Sequence, residues 1–254
     1  MSLVFNDTTT GKGIVQMYEK EAGFNRGDIS GSTSRLKDLT ADVNLAFDDF
    51  TRIALAASGT WQEDDSNQTD YPIISTNLVS GQRDYTFTTD GSGNLVLDVY
   101  KVMVASSSGI YTEIKPVDVQ SQKDTDSFYS GQNTTGTPTR YDKTANGIFL
   151  DVIPNYSYTA GLKVYINREP SYFVYTDTTK KPGVPGIFHR YFALKPALDW
   201  ARRNTLANYP LLASEVLKME GDEGAGIVGT IAKYFSARTK DEPRRLVVGF
   251  QDNK

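Results

Sequence analysis

The chain has 254 residues, 27 of them basic and 31 acidic, a formal net charge of −4, one histidine and no cysteine. That length holds one large domain or two modest ones, and the lack of cysteine removes disulfide frameworks, thiolate zinc sites and cysteine nucleophiles together. With 39% apolar residues, 15 Tyr and 12 Phe the chain can build a core, while its mildly acidic balance argues against wrapping phosphate backbones. No stretch approaches the ~18 apolar residues of a membrane span. The opening Met1–Asp7 lacks the basic region of a secretory signal, so a soluble structural or interaction protein made in a reducing cytoplasm is expected.

In chain order, Ile14, Tyr18 and Ala22 recur at helical spacing and Gly23 supplies a stop. A Gly- and Ser-rich turn follows. Then Leu36, Leu39, Val43, Ala46, Phe47, Phe50, Ile53, Ala54 and Ala57 trace one stripe of a long amphipathic helix. Ser32, Thr33 or Ser34 can cap it, and Gly59 ends it. From Tyr71 to about Tyr175 the chain is rich in Thr, Tyr, Val and Ile, cut by turn residues roughly every ten positions. Asp90-Gly91-Ser92-Gly93 separates two apolar runs, and Asn146-Gly147 is the strongest hairpin signal. Residues 121–137 read as an exposed loop.

Helix returns after the Pro- and Gly-rich 182–186. Ile187 to Leu206 forms one apolar-sided segment in which Pro196 is expected to kink the helix. Leu211 to Arg238 forms a second, weakened by four glycines. The expected fold is α+β: a four-helix bundle formed by the N- and C-terminal helices, with an inserted antiparallel β-sandwich or barrel. The corresponding divisions are 1–60, 61–183, 184–239 and a C-terminal arm, 240–254.

Charge is unevenly spread. Ile187–Leu206 carries a net +3 and Leu211–Gly224 a net −3. Two solvated helix faces are the plain reading, and pairing between copies of the chain is the alternative. In the arm, Arg244 and Arg245 lead into Leu246, Val247, Val248, Gly249 and Phe250. A four-apolar strip cannot form a core alone, so Arg244, Arg245, Leu246, Val247, Val248 and Phe250 are candidates for a partner interface. The alternative is that the arm packs back on its own helices.

Signals for chemistry are weak. Thr8-Thr9-Thr10-Gly11-Lys12-Gly13 has a phosphate-loop flavour. However, Asn6 and Gly13 stand where that loop requires Gly and Ser or Thr. Glu63-Asp64-Asp65-Ser66-Asn67 lacks the spacing of a calcium loop. His189 has no nucleophile elbow to serve and reads as a structural histidine. The aromatic residues Tyr85, Phe87, Tyr100, Tyr111, Tyr141 and Tyr165 can stack sugars or bases, but more often such residues fill a sandwich. No cofactor and no metal are expected.

Asp70-Tyr71-Pro72, Leu78-Val79-Ser80-Gly81-Gln82-Arg83-Asp84-Tyr85, Gly136-Thr137-Pro138-Thr139-Arg140-Tyr141, Leu150-Asp151-Val152-Ile153-Pro154, Tyr165-Ile166-Asn167-Arg168-Glu169-Pro170 and Val184-Pro185-Gly186-Ile187-Phe188-His189 occur in that order. Over roughly Trp61 to Arg203 this resembles the head-to-tail adaptor (connector, or head-completion) proteins of tailed bacteriophages, including the tail tubular A type. The resemblance implies a non-enzymatic virion protein at the head–tail junction, made in the host cytoplasm. It would form a ring, usually a dodecamer, between portal and tail. Implied partners are the portal protein, tail or nozzle proteins, other copies of itself and, transiently, passing DNA; no membrane is implied. A weakly negative channel suits such DNA transit, because each cationic contact with phosphate would retard it. The rival classes are a tail-associated β-sandwich module binding a receptor or glycan, expected as a trimer or appendage, and a hydrolase with clustered carboxylates.

Overall fold

The computed structural model describes residues 3–58, 73–91, 93–117, 134–222 and 224–238. The chain forms two compact units. One comprises Met1–Trp61, Phe173–Lys180 and Pro185–Lys254; the other comprises Gln62–Tyr172 and Lys181–Val184.

In the first unit, helix α1 (Ile14–Glu21) starts where the Gln16 carboxamide accepts the Gly13 N–H at 3.1 Å, and ends before Gly23 at φ +80°. Helix α2 (Thr33–Ala57) carries the stripe that its period announces. Leu36, Leu39, Val43, Ala46, Phe47, Phe50 and Ala54 are all buried on it. Ser32 is its N-cap, but by backbone alone, accepting the Leu36 N–H at 2.9 Å. Gly59, the expected stop, lies outside the described residues. A short 3-10 turn (Gly186–Phe188) leads into α3 (Tyr191–Arg203). Helix α3 continues through Pro196, which is buried. Helices α4 (Tyr209–Glu220) and α5 (Thr230–Arg238) follow.

Phe47 stacks on Phe192 of α3 at 4.1 Å, and Phe50 meets Phe192 at 5.5 Å and Phe235 of α5 at 5.8 Å. Phe173 extends this core, 5.4 Å from Phe47 and stacked at 4.5 Å on Phe5. It draws 173–180 into the helical unit, against the expectation that these residues belong to the β insertion. The Asn44 amide fixes them there, accepting the Phe173 N–H at 2.9 Å and donating to its carbonyl at 3.0 Å.

The four-helix bundle is corrected by these contacts. Five α-helices occur among the described residues, and α2 packs against α3 and α5 while α1 packs against α3. The segment expected as one last helix is split at Gly221, whose φ of +91° only glycine holds without strain. A two-strand hairpin (Gly221–Asp222 with Ile227–Val228) fills the break.

The second unit is a single curled sheet. Its strands are β1 (Ile73–Leu78), β2 (Asp84–Thr86), β3 (Val96–Ala105), β4 (Tyr111–Pro116), β6 (Arg140–Thr144), β7 (Gly147–Leu150) and β9 (Tyr158–Arg168), in the order β1-β9-β3-β4-β6-β7-β2. β5 (Thr135–Gly136) and β8 (Ile153–Pro154) form a separate short parallel pair. One face buries Leu78, Tyr85, Val102, Val104, Ile114, Tyr141, Ile148, Leu150, Leu162, Val164 and Ile166. The antiparallel sandwich is therefore also corrected: β4 and β6 run parallel, Lys115 opposite Arg140 and Pro116 opposite Tyr141. Parallel pairing follows from a long crossover, which local alternation does not encode. The Asn146-Gly147 signal does mark a tight connection, but the two residues between β6 and β7 are Ala145 and Asn146. Gly147 is required for space, since a Cβ there would sit 2.1 Å from the Tyr85 carbonyl oxygen.

Phe47→Ala or Phe50→Ala is expected to lower stability by ~3–5 kcal/mol, because each leaves a ring-sized cavity. Urea unfolding followed by helical circular dichroism measures this, and a loss under about 1 kcal/mol at both sites would contradict the core assigned here.

Candidate functional site

The phosphate-like loop is filled from within. The Asp7 carboxylate accepts the N–H groups of Thr9 (3.0 Å), Thr10 (2.7 Å) and Lys12 (3.3 Å), together with the Thr10 hydroxyl. A side-chain anion thus occupies the nest that a phosphate would need. The Thr10 hydroxyl and then the Thr10 N–H hold the Asp7 carboxyl down, from 3.8 to about 2. His189 is buried, and its Nδ1 accepts the Leu3 N–H at 2.9 Å, tying the start of the chain to the turn before α3.

Three of the adaptor-like segments meet in one corner of the curled sheet. The Gly81 N–H donates to the Pro154 carbonyl (2.9 Å), and Arg83 donates to the carbonyls of Leu150 (3.1 Å) and Asp151 (2.9 Å). The Asp151 carboxylate accepts from the N–H (3.0 Å) and hydroxyl (2.7 Å) of Thr139 and lies 3.7 Å from the Arg140 guanidinium. A fourth segment supplies Arg168, paired with Asp90 at 3.1 Å with both side chains nearly buried. These charged residues brace backbone. Asp70-Tyr71-Pro72 lies outside the described residues.

The opposed charge blocks are largely spent within the helical unit. Arg190 pairs with Glu215 (2.8 Å) and Glu21 (3.4 Å), and Lys195 with Glu220 (2.7 Å) and Asp49 (3.3 Å). Burial opposes the charge on Lys195, but the hydrogen bond and charge of Glu220, helped by Asp49, raise its pKa overall. Burial and then Glu220 push the Tyr191 hydroxyl far up.

The site that composition did not reveal is a cleft of about 590 Å³ in the helical unit. Its floor is Tyr18, Ile29 and Leu39, each about 4% exposed or less. Phe24 and Trp200, 5.1 Å apart, form an aromatic wall. The turn that carries Phe24 and Ile29 is held by the buried Glu19 carboxylate, which accepts the N–H groups of Gly27 (3.2 Å), Ile29 (3.0 Å) and Ser30 (2.8 Å). At the edge, Asp42 pairs with Arg203 at 3.3 Å. Burial raises the Asp42 carboxyl above its ordinary value against the pull of Arg203, with Asp199 and Asp38 adding to the rise. Burial, then Asp42, push the Tyr18 hydroxyl up to about 12. The size and mostly apolar lining suit a small apolar ligand or a protruding part of another protein. Two aromatic residues flanking a Gly-rich turn and a helix end were its only sequence signals.

The expected interface residues Arg244, Arg245, Leu246, Val247, Val248 and Phe250 lie outside the described residues, as does Glu63–Asn67. Among the described residues no cluster of three metal-ligating side chains occurs, and no helix is long and apolar enough to cross a membrane. No family model and no curated protein matches the chain.

Two titrations follow. Because the Asp7 pKa is depressed on folding, its contribution to stability is fully present above 3.8 and is lost as pH falls through about 2, which carboxyl chemical shifts can follow. Asp42→Asn removes a charge that raises Tyr18, so Tyr18 should titrate lower than about 12 yet remain above 10.0 because burial persists. A Tyr18 ring titration unmoved by the substitution would contradict this geometry.

Proposed function

We propose that the protein is a structural virion component, a head-to-tail adaptor that assembles as a ring between portal and tail around the DNA channel. The single observation in support is the corner where Leu78–Tyr85, Gly136–Tyr141 and Leu150–Pro154 meet. The residues that carry the adaptor resemblance are distant in sequence, yet Gly81, Arg83, Thr139, Arg140 and Asp151 brace one another there. Their charged groups hold backbone in place, as a load-transmitting scaffold requires. In this reading the protein needs no cofactor and performs no catalysis. The arm with Arg244, Arg245 and Leu246–Phe250 attaches to the portal or to a neighbouring copy.

Electron microscopy of particles carrying the protein tests the reading. The expected image is a closed ring at the head–tail junction, and a stable trimer or a peripheral fibre would overturn it. Light scattering should show a monomer alone and ring-sized complexes once portal is added. Deleting residues after Glu242 should leave the melting temperature unchanged while abolishing attachment. A lower melting temperature with attachment intact would assign the arm to the fold instead.

A further inference from the structure

Between α4 and α5 the chain makes a hairpin that buries little. Ile227 and Val228 are 52% and 54% exposed at its end. Isolated exposed apolar side chains are ordinary, but these two are adjacent and held on a rigid support. A Cβ at Gly221 would lie 2.4 Å from the Ile227 carbonyl oxygen, and one at Gly229 would lie 2.3 Å from the Met219 carbonyl oxygen. The hairpin is closed onto the end of α4 so tightly that only glycines fit. It is a preorganised apolar knob, and preorganisation cuts the ordering cost of docking.

The same unit carries a hole. The cleft floored by Tyr18, Ile29 and Leu39 and walled by Phe24 and Trp200 includes no hairpin residue in its lining. Charge matches as well. Arg35 stands exposed on the cleft rim and Asp222 at the hairpin base. Among the described residues neither has an ion-pair partner: Arg35 bonds the Asp28 carbonyl at 3.4 Å and Asp222 the Ala225 N–H at 3.1 Å. The rim also carries exposed Asp38, and the last turn of α4 carries exposed Lys218, so both signs have a counterpart.

We infer that the aromatic cleft receives the Ile227–Val228 hairpin of a second copy of this chain. A knob and a hole at different places on one molecule make a head-to-tail contact, which propagates and closes into a ring when the rotation permits. The inference rests on the ring reading for its setting. The contact itself is tested on the isolated full-length chain, so its failure leaves the particle test of the adaptor reading standing.

The chain has no cysteine, so introduced thiols report without background. Ala41→Cys lines the cleft and Val228→Cys sits on the knob, both at exposed positions where the fold is not at stake. Mixed at high concentration under mild oxidation, the two single-cysteine chains should form a disulfide-linked heterodimer at least about tenfold faster than Val228→Cys with a Thr8→Cys control, even if the contact is transient. Adding Ile227→Asp to the knob chain, or Arg35→Glu to the cleft chain, should remove that advantage without moving the melting temperature. Equal rates with the control overturn the inference. So does faster capture of Ala41→Cys by a Gly249→Cys chain, which would make the C-terminal arm the occupant.

Discussion

The rings of Phe47 and Phe50 can leave water only if four other parts of the chain come to them. Phe192 stacks on one and touches the other, Phe235 closes over Phe50, and Phe173 meets Phe47 with Phe5 stacked on it. Each buried aromatic side chain removes ~150–250 Å² from water, worth several kcal/mol at ~25 cal/mol per Å². That shared burial is why the helices do not line up as a bundle. They are arranged around a cluster of rings, with the first and last described segments both committed to it. The polar network of Tyr191, Lys195, Glu220 and Asp49 follows from the same placement, because α3 can bring Phe192 inward only by setting Tyr191 and Lys195 against α4 and α2.

What could be read from the residues was whatever had a short period. The stripe of α2 is local, so Leu36 to Ala54 announced both the helix and its buried face. The β region announced itself by composition and turns, and Asp90 was a true turn residue, its carboxylate accepting the Asn94 N–H at 2.9 Å. What could not be read was set by distant partners. The parallel register of β4 on β6 depends on a crossover. The attachment of 173–180 to the helices depends on Asn44, 129 residues before Phe173. Gly147 was legible as a turn signal, but it is required because the Tyr85 backbone passes close by. The cleft was illegible for the same reason: Tyr18, Phe24, Leu39 and Trp200 share no motif and are brought together by the Glu19-held turn and the packing of α1 on α3.

Several of the charged groups in the described residues are structural. Asp7, Glu19, Arg83, Asp151, Arg168 and Lys195 each hold a piece of the fold. Beside them the helical unit presents a concave aromatic surface and a small apolar projection. In the proposed reading, these two shapes serve contacts between copies of the chain.

The discontinuity of the helical unit sets an order of events during synthesis. Every buried residue of the curled sheet, from Leu78 to Ile166, has emerged before α3 is made, so that unit can reach its native packing while the ribosome is still working. The helical unit cannot. Its aromatic cluster lacks Phe192 and Phe235 until the last quarter of the chain appears, leaving the α2 stripe to wait with its apolar face uncovered. The β unit can thus be complete while the helical unit still waits for Phe235 to close its cluster.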